Sequence, residues 1–253
     1  MTNVLPLPTR RDESWRYGDL KALEAVWGEL PQGPEQIIVP AGEKQTRQII
    51  QPVPIGGVSV THLDVRLEEN AEMALHLLAA DNDYGRIHIE VTLGKGAHFE
   101  LGGAIIGTGD QTLEIVTEVT HAEPEATSNQ VVRSVLGGKA TGSFLGKVNV
   151  ARNAQRTDAE QSVKAMLLDR TATANAKPEL EIFADDVQCA HGATVGELDK
   201  QALFYMASRG IEPVTAQRLM LQAFIADAYV SVEDDAAREA IEGRALEALE
   251  AIL

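Results

Sequence analysis

Two stretches of the chain, VRLEENAEMAL at residues 65–75 and VTLGKGAHFEL at residues 91–101, decide the fold prediction. They share valine, leucine, alanine and leucine at matching positions, and Asn70 falls opposite Gly96. Asn and Gly tolerate the left-handed backbone that tight turns often need. The offset of about 26 residues is typical of solenoid repeats, whose stacked coils bury one continuous aliphatic stripe. The repeat therefore predicts a β-solenoid.

The surrounding region supports this prediction. Between residues 36 and 192, apolar residues alternate with polar ones in several short runs, which predicts strands with one buried face. Turn-forming residues separate the runs at 69–70, 94–96, 107–110 and 137–138. Aromatic residues make up 4% of the chain, which suits a narrow interior filled by Val, Ile and Leu. A β-sandwich also has short strands with regular turns, so it stays open as an alternative.

Helical patterns flank the strands on both sides. At the N-terminal side, Asp12 or Ser14 is the predicted cap of a helix that ends before Pro31. The period changes from 2 to 3.6 near Gly196. We therefore divide the chain into a helical segment at 1–30, a β domain at 31–192 and a helical domain at 193–253, with residues 192–196 as the turn between the last two.

Three helices are predicted after Gly196. The first ends at Gly210, in the position of a C-terminal glycine, and the second follows Pro213. The third begins near Ser231, with Asp234 in the position of a capping box.

Composition excludes several classes of protein. The formal net charge is −16, and no cluster of Lys and Arg is present, so we expect no nucleic-acid surface. Cys189 is the only cysteine, which excludes an intramolecular disulfide and fits a reducing compartment. Residues 1–15 lack the apolar core of a secretory signal, and no apolar run approaches the ~20 residues of a membrane span. We expect a cytoplasmic protein.

The chain lacks the common catalytic motifs. It has no GxxxxGK[ST], CxxC, HExxH or GxSxG sequence. Cys189 and His191 lie two residues apart, so on a strand at 185–191 both side chains point to one face and form half of a soft-metal site. The alternatives are a buried structural cysteine and a hydrogen-bonded turn histidine. The remaining histidines are assigned to different predicted strands or to a loop, and solvated positions are expected for them: His62, His76, His88, His98 and His121.

Two segments resemble a known family. Residues 175–210, NAKPELEIFADDVQCAHGATVGELDKQALFYMASRG, look like the C-terminal signature of the SufB/SufD family, with HGATVG and LFYxxSRGI as the most specific parts. Residues 8–20, PTRRDESWRYGDL, are similar to the family's N-terminal motif, although Gly18 stands where Thr is frequent. The HGATVG form favours the SufD branch. The run at 9–17 is expected either to bind a partner or to pack against the body.

The resemblance implies a fold and a role. It implies a right-handed parallel β-helix with a C-terminal helical domain, acting as a non-catalytic scaffold in iron–sulfur cluster assembly. The chain would pair with SufB, or with itself when SufB is absent, and dock the ABC ATPase SufC. A transient cluster would be shared with SufB, with no cofactor held tightly by this chain alone. Cys189 and His191 would contact the cluster, and Leu203, Phe204, Tyr205 and Arg209 would contact the ATPase.

Two other functions stay open. A β-solenoid enzyme acting on carbohydrate or acyl groups would need a cluster of carboxylates or histidines on one face, and the sequence does not assemble one. A purely structural subunit would bury Cys189 away from any interface.

Overall fold

The computed structural model describes residues 5–51 and 54–253. Residues 1–4, which belong to the stretch predicted to lack a secretory signal, lie outside the described residues. The strands are β1 Glu35–Val39, β2 Lys44–Ile50, β3 Val58–Leu67, β4 Glu72–Ala79, β5 Tyr84–Leu93, β6 His98–Gly107, β7 Thr112–His121, β8 Thr127–Leu136, β9 Thr141–Val150, β10 Asp158–Leu167, β11 Thr173–Ile182 and β12 Gln188–Gly196. The helices are α1 Leu20–Val26, α2 Lys200–Ser208, α3 Pro213–Ala226 and α4 Asp235–Glu250.

The strands form two parallel sheets that the chain visits alternately. The first sheet contains the odd-numbered strands in the order β1-β3-β5-β7-β9-β11, and the second contains the even-numbered strands in the order β12-β10-β8-β6-β4-β2. Each strand pairs with the strand two places further along the chain, so successive coils stack on one another. This arrangement confirms the predicted parallel β-helix and excludes the β-sandwich, whose sheets are antiparallel.

The sequence repeat corresponds to one coil of the β-helix. Val65 pairs with Val91, and Leu75 pairs with Leu101, as the aligned stretches predict. Later coils lengthen through extra turn residues, which hides the repeat from the sequence. The offset grows from 26 to 28, 29 and 32 residues in the successive pairs Val65–Val91, Leu93–His121, His121–Val150 and Val150–Ile182.

A left-handed residue marks the same corner of successive coils. Asn70 and Gly96 have φ values of 55° and 66°, and Glu125 and Arg156 follow with 66° and 60°. The backbone N–H of each donates a hydrogen bond to the next coil, so the corners stack like the strands. The predicted left-handed conformation of Asn70 and Gly96 is therefore confirmed. Glu125 and Arg156 adopt it too, although their residue types do not predict it.

The interior is one aliphatic cluster that follows the β-helix axis. Inward-facing side chains of both sheets contribute to it, including Leu63, Leu75, Ile89 and Leu101, all fully buried. Because each coil buries its inner face only against its neighbours, the cluster runs through the stacked coils.

The C-terminal helices pack on the outer face of the second sheet. Leu221 and Ile225 of α3 and Ile241 of α4 join Leu78 and other outward-facing strand residues in a second buried cluster. Just after α3, the Tyr229 hydroxyl donates a hydrogen bond to the backbone oxygen of Leu77 at 2.8 Å.

Packing on the outer face of the second sheet explains why residue 102 is a glycine. A Cβ at Gly102 would lie 2.0 Å from the backbone oxygen of Ala228, so the chain after α3 approaches β6 closely only because residue 102 lacks a side chain.

The N-terminal segment packs against the first sheet. The side chain of Asp19 caps α1, rather than the predicted Asp12 or Ser14. Its neighbour Gly18 is buried, and a Cβ there would lie 2.8 Å from the Tyr84 hydroxyl oxygen. This close approach is the physical reason for glycine at position 18.

Two boundaries near the C-terminal helices differ from the prediction. Strand β12 continues through Gly196, so the segment 192–196 is strand and not the predicted turn. Helix α4 begins at Asp235 with Asp234 as its cap, so the predicted capping box at Ser231 is wrong.

The other two helix predictions hold. Gly210 has φ 84° just after α2, and Pro213 is the first residue of α3, as expected. None of the helices in the described ranges has the length and apolar content that crossing a lipid bilayer requires.

Candidate functional site at the terminal coil

The last coil of the β-helix presents two strand edges. Strand β11 pairs with β9, and β12 pairs with β10, and each is the outermost strand of its sheet. Their residues are half-buried or exposed, whereas the strands from β4 to β9 are mostly buried. Pro178 lies within β11, a position that suits an edge strand because proline lacks the N–H of a sheet hydrogen bond. The terminal coil therefore presents one open end of the two sheets, and β1 and β2 form the other end.

Cys189 lies at the inner side of this coil. It pairs with Ala159 of β10, which is buried in the interior, and its own half-buried side chain packs against the aliphatic cluster. Burial, together with the nearby negative charge of Asp158, raises the pKa of the Cys189 thiol. The thiol is therefore protonated at neutral pH and needs a cation or metal ion to become a thiolate.

His191 follows on the same face of β12. It pairs with Gln161, which is fully buried and faces inward, whereas His191 itself is exposed. The two side chains therefore share a strand face, as predicted, although the strand spans 188–196 rather than 185–191.

The interior column beneath His191 becomes polar toward the terminal coil. Leu75 and Leu101 are followed by Gln130 and Gln161 in register, and then by His191. Within the described ranges, neither amide atom of Gln161 has a hydrogen-bond partner. An unsatisfied buried amide is costly, so this end of the core is less favourable in isolation than the aliphatic coils.

The structure does not complete a ligand set around Cys189 and His191. In the part of the chain that the structure describes, no third His, Cys, Asp or Glu joins them at metal-ligand distance. A thiol and an imidazole are soft and borderline ligands that suit iron and sulfur chemistry. A full coordination shell at this place needs ligands from another molecule.

A second exposed surface lies on α2, which has no fully buried residue. Phe204 and Tyr205 are 77% and 59% exposed, and the guanidinium of Arg209 lies 5.2 Å from the centre of the Tyr205 ring. Leu203 is half-buried and lines a groove between α2 and the end of β10. Exposed aromatic residues beside an arginine are typical of protein-binding surfaces.

The histidines inside the body depart from the prediction. His76 and His121 are fully buried, and His62 and His88 are largely covered, so solvated positions are wrong for these four. His121 contacts the hydroxyl of Ser128 at 2.9 Å, and His76 contacts that of Ser231 at 3.1 Å. Only His98 keeps a substantially exposed side chain, as expected.

Comparison with known proteins identifies the family of this chain. A family model described as "SUF system FeS cluster assembly, SufBD core domain" matches residues 38–224, a range that includes β12 and α2. The chain belongs to the SufB/SufD family. The matched range contains the segment at 175–210 and confirms its resemblance to that family, whereas the segment at 8–20 lies outside the match.

Curated relatives of this chain include proteins named SufD. The iron–sulfur cluster assembly protein SufD of Escherichia coli is 29% identical over 72% of this chain and 44% of its own length. The chloroplastic protein ABCI7 of Arabidopsis thaliana is 32% identical over 75% of this chain and 40% of its own length. SufD of Bacillus subtilis is 30% identical over 63% of this chain and 36% of its own length. The chain thus spans less than half the length of these relatives.

Proposed function

We propose that this chain is a SufD-like scaffold subunit of a SufBCD-type complex that assembles iron–sulfur clusters and passes them to apo-proteins. The observation that carries the proposal is the position of Cys189 and His191, which lie on one face of the terminal strand β12 in a family built for cluster assembly. The cluster is the cargo of the complex, and this chain supplies ligands rather than catalytic groups.

Pairing with a SufB-like protein is supported by the terminal coil. Unpaired edges of parallel strands invite pairing with a second sheet. The edge also exposes apolar side chains that such an interface would cover, namely those of Ile182, Phe183 and Val195. Covering them would place Cys189 and His191 inside the interface, where a partner adds the missing ligands. A homodimer through the same edges is the expected state when the partner is absent.

The protonation state of Cys189 fits transient binding. Its raised pKa keeps the thiol neutral until iron arrives, and a bound metal ion displaces the thiol proton. With two ligands from this chain and the rest from the partner, a movement of the interface breaks the coordination shell. The arrangement therefore suits a cluster that is bound transiently and then passed to an apo-protein.

Docking of a SufC-like ABC ATPase is supported by the C-terminal helices. Helix α3, which contacts α2, also exposes apolar side chains, namely those of Val214 and Leu219. Because α3 packs directly on the outer face of the second sheet, a force applied to these helices reaches the β-helix. ATP hydrolysis would then be supplied by the partner.

The experiment is co-expression with SufB-like and SufC-like partners, followed by iron and sulfide analysis of the purified complex. His191→Ala and Cys189→Ser are expected to lower the cluster content while the three proteins still co-elute. His98→Ala is the matched control, because His98 is also on a strand of the second sheet but far from its terminal edge. Unchanged iron and sulfide in the His191 and Cys189 variants would contradict the site, and failure of the proteins to co-elute would contradict the complex.

A further inference from the structure

Two histidines are stacked on the outer face of the first sheet. His62 of β3 and His88 of β5 are paired in register, and their rings lie 4.4 Å apart at an angle of 13°. The outward-facing residue that follows on β5 is Glu90, whose register partner on β3 is Asp64. The parallel pairing thus brings two imidazoles and a carboxylate to one patch of the sheet.

The ligand atoms of this patch converge. His62 Nε2 lies 3.7 Å from one carboxylate oxygen of Glu90, and His88 Nε2 lies 3.8 Å from the other. One ligand atom from each of the three residues lies within 4.8 Å of the others. With metal–ligand bonds of about 2.0–2.2 Å, ligands on one ion are separated by roughly 3–4 Å. The spacing of the ligand atoms is therefore close to what one ion requires, and binding needs the two stacked rings to rotate about their side-chain bonds until their in-plane lone pairs converge.

The environment keeps these ligands available. The side chains of His62 and His88 are 28% and 13% exposed, and His62 Nε2 has no hydrogen-bond partner among the residues described. Burial lowers the pKa of both imidazoles, that of His88 to about 3, so both rings are neutral with a free lone pair at neutral pH. Neutral imidazole is the form that binds a metal ion.

The surrounding charge favours a cation. The register partners of Glu90 on the two neighbouring strands are Asp64 and Glu118, so three carboxylates lie side by side. Arg86, whose positive charge acts on both histidines, is already paired with the buried carboxylate of Glu114 at 3.1 Å. The patch is open to solvent on the side of Glu90, which leaves further coordination positions to water.

We propose that His62, His88 and Glu90 form a binding site for one divalent transition-metal ion, of which Zn²⁺ is the probe. Two imidazoles and one carboxylate with open positions suit Zn²⁺, Fe²⁺ and Co²⁺ better than the all-oxygen sites of Mg²⁺ and Ca²⁺. The site is separate from Cys189 and His191. It lies on the other sheet, and strands β7 and β9 separate it from the terminal strand β11. It does not depend on the proposed role in cluster assembly.

The test uses the full chain with Cys189→Ala and His191→Ala, so that the terminal coil contributes no ligand. Calorimetric titration with Zn²⁺ is expected to give one ion per chain. His62→Gln, His88→Gln and Glu90→Gln are each expected to weaken binding by at least about tenfold, the lower end of what loss of an outer-shell partner costs. The visible spectrum of the Co²⁺ form is expected to show nitrogen and oxygen ligands without a thiolate band.

His98→Gln in the same background is the matched control. His98 lies 3.8 Å from Glu100, the same separation as in the His88–Glu90 pair, but its register partners on β4 and β8 are Glu72 and Thr127 rather than a second histidine. Its substitution is expected to leave Zn²⁺ affinity unchanged. Zn²⁺ is also expected to raise the melting temperature of the parent chain but not that of the His88 variant.

Absence of stoichiometric binding by the parent chain would overturn the proposal, as would equal affinities of the parent and the Glu90→Gln variant. Glu90 is 43% exposed, so its substitution tests the site even if a histidine variant does not fold.

Discussion

Arg86 Nη1 donates a hydrogen bond to Glu114 Oε2 at 3.1 Å, and both side chains are completely buried beneath the N-terminal segment. The Tyr84 hydroxyl donates to the same carboxylate oxygen at 2.8 Å, and the guanidinium lies 3.9 Å from the centre of the Trp15 ring. The cation–π contact and the T-shaped packing of Trp15 on Trp27 hold residues 13–27 against the first sheet. Trp15 therefore packs against the body, which decides between the two expectations for the run at 9–17 in favour of packing at this residue.

The buried ion pair makes Glu114 a sensitive position. Glu114→Gln leaves the guanidinium of Arg86 buried without its counter-charge, and we expect a loss of about 3–5 kcal/mol in the free energy of unfolding. The double variant Arg86→Met/Glu114→Gln is expected to recover much of this loss, because no uncompensated charge remains. Urea denaturation measures both.

The control for this pair is Asp110→Asn, which removes the carboxylate of an exposed ion pair with Lys139 at 3.8 Å. We expect less than about 1 kcal/mol there. Equal stability of the Glu114→Gln variant and the parent would contradict the importance of the buried pair.

The close approach at Gly102 predicts a second sensitive position. Gly102→Ala places a methyl group 2.0 Å from the backbone oxygen of Ala228, so the chain after α3 has to move outward. We expect a loss of about 1–3 kcal/mol, the usual effect of overpacking, and faster amide hydrogen exchange in α3 and α4. Gly192→Ala, where the added carbon meets no neighbour within 4 Å, is the control. Unchanged exchange in the helices of the Gly102 variant would show that the sheet and the helices are not closely coupled there.

Acid sensitivity is expected from His121. Burial lowers its pKa to about 4, whereas the imidazole in the unfolded chain titrates near 6.5. The unfolded chain therefore binds a proton between pH 6.5 and 4 that the folded chain does not bind. The contribution of His121 to stability is present above pH ~6.5 and decreases as the pH falls toward 4, by up to about 1.4 kcal/mol per pH unit.

The variant His121→Gln keeps a polar group near Ser128 but does not titrate. We expect its free energy of unfolding, measured by urea denaturation from pH 7 to 4, to fall less steeply than that of the parent. The control is His98→Gln, which replaces a side chain that is 43% exposed, retains His121 and is expected to keep the slope of the parent. Parallel curves for the parent and the His121 variant would contradict the assignment.

The exposed pair on α2 predicts a loss of partner binding without a loss of stability. Phe204→Ala and Tyr205→Ala remove side chains that are mostly in solvent, so the fold should tolerate them. If they anchor the ATPase, each should weaken binding of a SufC-like protein by about 2 kcal/mol, or roughly 30-fold. Surface plasmon resonance measures the affinity. Val230→Ala, which truncates another apolar side chain that is 73% exposed, is the control, and equal affinities for all three variants would place the docking surface elsewhere.

The sequence predicts the fold well where residues of the same chemical type recur at a constant spacing. Val65 and Val91 reveal a coil because turn residues of the same type recur at the same offset. In later coils, Glu125 and Arg156 take the left-handed corner, and extra turn residues shift the offset, so the repeat fades although the structure continues. His62 and His88 also differ by this offset of 26 residues, so the coil period already contained the signal that the two histidines are neighbours.

At the terminal coil, too, one property of Cys189 and His191 follows from the local sequence and another depends on the tertiary structure. Period 2 along a strand places Cys189 and His191 on one face, and this local rule holds wherever the strand begins. Burial is not local: whether this face points into the core, and how far the pKa of Cys189 is raised, depend on the coil beneath it.

What the sequence by itself determined is the solenoid, the family and the common strand face of Cys189 and His191, because these depend on short-range periodicity and on local motifs. Only the tertiary structure decided which histidines are buried, that Arg86 meets Glu114, and that Gly102 admits the chain after α3. Those relationships join residues from different coils and domains, and their free energies come from desolvation and close packing, which no short segment contains.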